Sequence, residues 1–233
     1  MKGFTVDLKE VTDLRNFSGV IPLFPLATVV FFPNTLLPLH VFEPRYRQMV
    51  SDIVNAERII GMVLLKPGWE KDYQGNPEIY NIACMGRTVS IEPLEDGRSN
   101  IVLYGLKRVK ILETVKDNPY RLARVKILED MHGTNEEVYR ERIIELVSRW
   151  NGMLGKEHES HRINIDTRLP LENLTDAFAS LNISNVFEKQ ELLEELSIPK
   201  RAEKVLSHLE TKLQVISAVA KRRNQILEKR NLN

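Results

Sequence analysis

The chain has 233 residues, 42% of them hydrophobic and 28% charged, enough for a real core in one large domain or two modest ones. Its 33 basic and 32 acidic residues leave a formal net charge of +1, which excludes a global field that would draw in nucleic acid or an anionic membrane. Cys84 is the single cysteine, so an intramolecular disulfide and a multi-cysteine zinc site within one chain are excluded. The start MKGFTVDLKE has no apolar h-region, and no apolar run approaches the ~20 residues of a membrane span, so a cytoplasmic protein is expected.

In chain order, residues 1–19 form an extension in which Leu8, Val11, Leu14 and Phe17 recur at every third position, suiting a short helical turn laid on a core. Residues 21–50 then set four short apolar runs between five prolines. Proline cannot donate to a sheet ladder, so each one is expected to start, end or border a strand. Residues 29–32 and 36–42 read as short buried strands joined by a turn at Pro33, Asn34 and Thr35. Glu43-Pro44 reads as a helix entry, with Tyr46, Met49, Val50 and Ile53 on one face. Residues 80–94 and 99–113 flank an Asp96-Gly97 turn as a hairpin, with Gly105 marking a bulge or bend in its second strand.

The composition shifts near Glu129. Residues 131–135 read as a linker, with Thr134 or Asn135 available as a helix cap. Tyr139, Ile143, Leu146, Val147, Trp150 and Leu154 then mark one helical face. Leu174, Ala177, Phe178 and Leu181 mark a second helix. Asn185 with Glu188 caps a third, which carries Leu192, Leu193 and Leu196. Ser197-Ile198-Pro199 opens a long final helix. Its Leu206, Leu209, Leu213, Ile216, Ala220 and Leu227 form a heptad-like seam, broken by Arg223. The first half of that seam is expected to pack on the other helices, with a coiled-coil dimer as the alternative; beyond Ala220 the chain turns polar and is expected to fray.

As an ordered set these blocks are similar to the amino-terminal substrate-recognition domain of the Lon protease family. The likeness runs through residues 21–50, 60–65, the hairpin at 96–101 and 105–108, the closing strand at 119–125 and the helical segment 188–194, spanning about 20–213. It implies a PUA-like fold. The expected class is therefore α+β: a β-rich PUA-like barrel or folded sheet followed by a carboxy-terminal α-helical bundle ending in a long helix. Residues 1–19 are read as an extension, 20–129 as the β-rich subdomain and 130–233 as the helical subdomain.

An intact Lon protease carries an ATPase and a serine–lysine protease domain after this region, and neither is expected here. No GxxxxGK[ST] loop occurs; Gly152-Met153-Leu154-Gly155-Lys156 has the wrong glycine spacing and no hydroxyl after the lysine. No catalytic, cofactor-binding or metal-binding residue is assigned, and the chain is expected not to be an enzyme. His158 and His161, with Glu157 and Glu159, could hold zinc, but a solvated loop is the favoured reading. His40, ahead of Glu43 and Arg45, is read as a polar link between strand and helix rather than an acid–base group. Cys84 is read as a core residue, and Lys107, Arg108 and Lys110 as solvated strand positions. The loop at residues 66–77 stands apart, because it is polar except for Trp69 and Tyr73. Both are candidate polypeptide-binding anchors, unless Trp69 folds back over a core edge.

The resemblance implies a non-catalytic module that binds unfolded or specific client polypeptides, with β-augmentation on an open sheet edge as a physical route. Such a module suits protein quality control, as a sensor or adaptor that works with a protease or chaperone. The long terminal helix offers a route to self-association; no membrane contact is expected. A PUA-like RNA binder is the alternative, but the dense basic cluster Lys221-Arg222-Arg223 with Lys229-Arg230 sits at the fraying end. A small-molecule pocket near His40, Glu43 and Arg45 is the third reading.

Overall fold

The computed structural model describes residues 8–72, 75–116, 119–154 and 156–231, with side chains for all of these except 8, 116, 156–158, 219–221 and 223–231. The chain divides into two compact units. One comprises residues 1–129 with 183–196, the other residues 130–182 with 197–233.

The first unit is a sheet closed on itself. A short helix α1 (Leu8–Val11) precedes β1 (Val20–Leu26), β2 (Leu36–Val41), α2 (Pro44–Ile53), β3 (Ile59–Leu64), β4 (Ile82–Pro93), β5 (Ser99–Lys116) and β6 (Leu122–Leu128). The strand order is β2-β5-β4-β3-β1-β6, and β5 also pairs with β6. Closure is possible because β5 is long: residues 99–104 pair with β2, and from Arg108 onward it pairs with β6. Strands β5, β4, β3, β1 and β6 thus make a barrel, and β2 ends the sheet as an edge strand. Ile21, Leu23, Ile59, Val63, Met85 and Val109 fill the core, and Val11, Leu14 and Phe17 from the extension pack on it.

Prolines fall inside strands rather than only at their borders. β1 carries Pro22 and Pro25, and β2 carries Pro38. β1 changes partner at the first of these: Pro22 is its last residue paired with β6, and Leu23 its first paired with β3, in parallel. Pro38 sits on the sheet edge, where a missing N–H is tolerated. Residues 29–32 are apolar and largely buried, as expected, but form no strand. They cross the hairpin where two glycines leave room, Phe31 lying against Gly86 and the Phe32 carbonyl against Gly105. The Thr35 hydroxyl then donates to that carbonyl at 2.8 Å, and Asn34 takes a φ of 57° to complete the turn. Gly105 also borders a break in register: Met85 faces Lys107 while Gly86 faces Gly105, which leaves Leu106 as the extra residue of a bulge.

Helix α2 follows its sequence pattern. Pro44 opens it, and Tyr46, Met49, Val50 and Ile53 are the buried face. The first unit also recruits α5 (Val186–Glu194), which the sequence reading had grouped with the helices. The Asn185 side chain caps it by accepting from the N–H groups of Phe187 and Glu188. Gln190 donates to the Ile82 carbonyl at 3.0 Å, and Arg108 donates to the Leu193 carbonyl at 2.9 Å. Arg108 is only 2% exposed, not a solvated strand position, because its guanidinium serves the end of α5.

The second unit contains α3 (Glu136–Met153), α4 (Leu171–Asn182) and α6 (Ile198–Asn231). Ile143, Leu146 and Val147 of α3, Leu174 and Phe178 of α4, and Ala202, Val205, Leu209 and Leu213 of α6 form its core. The first half of the terminal helix therefore packs on its neighbours, as expected. Leu181 departs from the expected face and is 69% exposed; Leu171 and Ala179 take the buried positions instead. Asn135 makes no side-chain cap at α3 and has a φ of 63°. The Glu136 carboxylate instead reaches back to the preceding turn, accepting from the Gly133 N–H at 2.8 Å. Among the described residues no helix is long and apolar enough to cross a membrane.

Candidate functional site

The loop that the sequence singled out leaves β3 and returns to β4. Its neck is closed by a bridge between Leu65 and Ile79, by the Lys66 N–H on the Glu78 carbonyl at 2.8 Å, and by a Lys66–Glu78 ion pair at 3.1 Å. Trp69 begins a short 3-10 turn (Trp69–Asp72) and is half-buried. Tyr73 lies outside the described residues.

The other singled-out groups separate. His40 Nδ1 lies 2.8 Å from the Asn100 side-chain oxygen, and its Nε2 lies 3.4 Å from an Arg98 guanidinium nitrogen. Glu43 accepts instead from Arg45 at 3.0 Å, and the Arg45 guanidinium sits 4.7 Å over the Tyr46 ring. His40 therefore links strands β2 and β5, not strand and helix. Cys84 is buried in the core of β4, as expected. The His161 carbonyl accepts the Trp150 indole N–H at 3.0 Å, while the His158 side chain lies outside the described set. Lys107 pairs with Glu129 at 2.8 Å.

A different surface of the sheet unit is concave. A groove of about 510 Å³ runs between α2 and the β4–β5 hairpin. Val50 of α2 and Val54, which caps that helix, form one apolar wall; Val89, Ile91 and Pro93 of β4 form the other. One side of β4 is open there. Its pairing with β3 ends at Ile59 and Arg87, and the Thr88 N–H makes a last bond of 2.7 Å to the Arg58 carbonyl. From Ser90 to Pro93 the strand is paired to β5 alone, and the register shift between Thr88 and Ser90 leaves Val89 as a bulge. Thr88 lines the groove at 4% exposure, and among the described residues its hydroxyl has no hydrogen-bond partner.

The charged side chains that line this groove are three arginines, Arg47, Arg58 and Arg98, with no carboxylate among the lining residues. Arg98 is engaged: its Nε donates to Asp96 at 2.6 Å. That hydrogen bond, seconded by the Arg98 backbone N–H, holds the Asp96 carboxyl down to about 2. Arg58 donates from Nε to the Val54 carbonyl at 3.2 Å, leaving its outer nitrogens toward solvent. The Arg47 guanidinium lies against Gly97, where any side chain would collide with it. A second concavity of about 430 Å³ lies in the helical unit between α3 and α6, but its charges are mutually satisfied: Arg142 pairs with Glu145 at 2.6 Å and approaches Glu210 at 3.6 Å.

The sequence reading missed Arg47 and Arg58. The signal for Arg47 was faint: Arg47 and Ser51 of α2 and the capping residue Val54 follow one another at helical spacing, but only the fold brings that side against an unpaired strand.

The fold is that of Lon amino-terminal domains. The amino-terminal domain of a Mycobacterium avium complex Lon protease superposes with a TM-score of 0.63 at 13% identity, covering 82% of this chain and 98% of that one. A Lon N-terminal domain protein from Xanthomonas campestris gives 0.55 at 19% identity, covering 81% and 97%. The chain belongs to the ATP-dependent protease La (LON) substrate-binding domain family, whose pattern matches residues 20–211. It is 25% identical over 220 residues to the Lon protease of Dictyoglomus thermophilum, covering 94% of this chain and 28% of that protein. It is 29% identical over 205 residues to the Lon protease of Anaeromyxobacter dehalogenans, covering 87% and 24%. The chain thus spans about a quarter of the length of these relatives.

Proposed function

We propose that the chain is a non-catalytic recognition module that binds extended or unfolded segments of client proteins in the cytoplasm and serves a protease or chaperone. Family membership supports the polypeptide-binding role. The observation that carries the site is the unpaired edge of β4 beside the groove, because backbone groups on an open strand accept any extended chain by β-augmentation. The β2 edge is the weaker candidate. It exposes Leu36 at 61%, and Phe42 just beyond its end at 59%, but it carries Pro38, which has no N–H to donate. Trp69 and Tyr73 are proposed as accessory contacts on the loop that joins β3 to β4.

The test uses the chain's two tryptophans. With Trp150→Phe leaving Trp69 as reporter, a permanently unfolded polypeptide is titrated against the protein beside its native counterpart. Saturable binding of the unfolded form alone supports the reading. Equal binding of both forms would sink it. A photo-crosslinker at Ser90 capturing the client places it on β4, and a Trp69 fluorescence change places the loop at the site.

A further inference from the structure

Accepting that reading, we infer that the β4 groove selects extended segments bearing carboxylates, with apolar side chains between them. An added strand alternates its side chains, so one set meets the apolar walls while the other turns toward the rim. The rim is cationic. Arg47, Arg58 and Arg98 border it and no acidic side chain lines it. This polarity is local, since the whole chain carries a formal net charge of only +1.

The arginines differ in how they are held. Arg98 is committed to Asp96, with an ion-pair contact and a further bond from its backbone N–H at 3.0 Å. The Arg47 guanidinium makes no hydrogen bond among the described residues; it lies against Gly97, whose φ is 79°, and its charge helps to hold the Asp96 carboxyl low. Arg58 is the most telling. Its backbone is held at a φ of 56°, a conformation costly for any residue with a Cβ, and its carbonyl is the one that takes the last β4 N–H. Glycine would suit that backbone better. An arginine there sacrifices local stability and sets a guanidinium at the point where the β4 edge becomes free. Guanidinium groups pair bidentately with carboxylates, and beside low-dielectric walls such pairs discriminate strongly against the neutral isostere.

A fluorescein-labelled peptide of alternating valine and glutamate, with glutamine and lysine versions, tests this by anisotropy at low and moderate salt. The glutamate peptide is expected to bind roughly tenfold or more tightly than the glutamine one. Combining Arg47→Ala with Arg58→Gly should erase that preference, the glutamate peptide losing roughly tenfold more affinity than the glutamine one. The thermal midpoint of Arg58→Gly should hold or rise, which separates lost recognition from lost folding. Asp96→Asn, which frees Arg98, should tighten the glutamate peptide. Methylating the peptide nitrogens that face β4 should abolish binding. Equal affinity for glutamate and glutamine peptides overturns the inference, as does a preference that survives in the double variant. Displacement of the peptide by single-stranded RNA at equal affinity also overturns it, assigning the groove to phosphates instead. If unfolded clients still bind in those cases, the recognition module stands and only its acidic selectivity falls. If neither clients nor peptides bind, both readings fail.

Discussion

At the scale of single residues, two side-chain environments make sharp claims. The Tyr120 hydroxyl donates to the Asp52 carboxylate at 2.6 Å, joining the segment before β6 to α2. Burial first, then that hydrogen bond, pushes the phenol up to about 12 from an ordinary 10.0. The fold therefore favours the neutral phenol. Its stabilisation is complete below about pH 10 and is lost as the pH rises toward about 12. Tyr120→Phe should flatten the stability profile across that window and lower stability at neutral pH by about 1–2 kcal/mol, both read by urea unfolding at stepped pH. Gly105 is constrained by space instead. A Cβ there would stand 2.1 Å from the Phe32 carbonyl oxygen, a backbone atom that cannot rotate away. Gly105→Ala should cost roughly 1–3 kcal/mol by overpacking and lower the thermal midpoint, with hydrogen exchange rising at residues 29–35 first. The glycine itself was readable as a strand irregularity; the carbonyl it accommodates was not.

At the scale of elements, helix boundaries were largely legible because their signals are local. Pro44 starts α2, the Asn185 side chain caps α5, and the apolar stripe of α6 faces the core. The exceptions share a cause, which is that a neighbour in space supplied the missing partner. Residues 29–32 had the apolar character of a strand but found glycines to cross, not a free edge to pair with. Arg108 alternated like a surface residue until α5 covered it. Arg201, at 0% side-chain exposure near the start of α6, was invisible in sequence for the same reason. Its Nη1 and Nη2 reach Asp130 at 2.9 and 3.1 Å, and its Nε donates to the Thr175 hydroxyl at 3.0 Å beside Asp176 at 3.4 Å. Removing one member strands the others as buried charge. Arg201→Met should destabilise the helical unit by about 3–5 kcal/mol, measured by urea unfolding, whereas replacing Arg201, Asp130 and Asp176 together with apolar residues should recover much of that loss.

For the whole molecule, the notable fact is that the chain leaves its sheet unit at Glu129 and returns to it at Ile183. Composition signals the first crossing, because the β-like pattern stops there. The return is silent, because α5 looks like one more amphipathic helix. A fragment of residues 1–129 keeps every strand but lacks the carbonyl that satisfies Arg108 and the side chain that meets Ile82. Stability should fall by about 1–3 kcal/mol, because the apolar surface that Leu192 and Leu193 of α5 help to bury is returned to water. Joining residues 183–196 to that fragment through a flexible glycine–serine linker should restore it, as seen in the urea midpoint; no difference between the two polypeptides would mean α5 is dispensable to the sheet.

The sequence by itself determined the family, the α+β class, the helix starts and the hairpin with its bulge. The family rests on a resemblance spread over an ordered set of blocks; the rest comes from short-range chemistry: proline and glycine geometry, capping, and apolar periodicity within one element. Only the tertiary structure decided how β5 closes the barrel, that α5 belongs to the sheet, and where a groove opens. Barrel closure and an exposed edge depend on which strands run out of partners. The cationic rim depends on Arg47, Arg58 and Arg98 meeting across 51 residues of chain. Periodicity carries no information about such meetings, because each of these side chains satisfies its local pattern equally well in solvent.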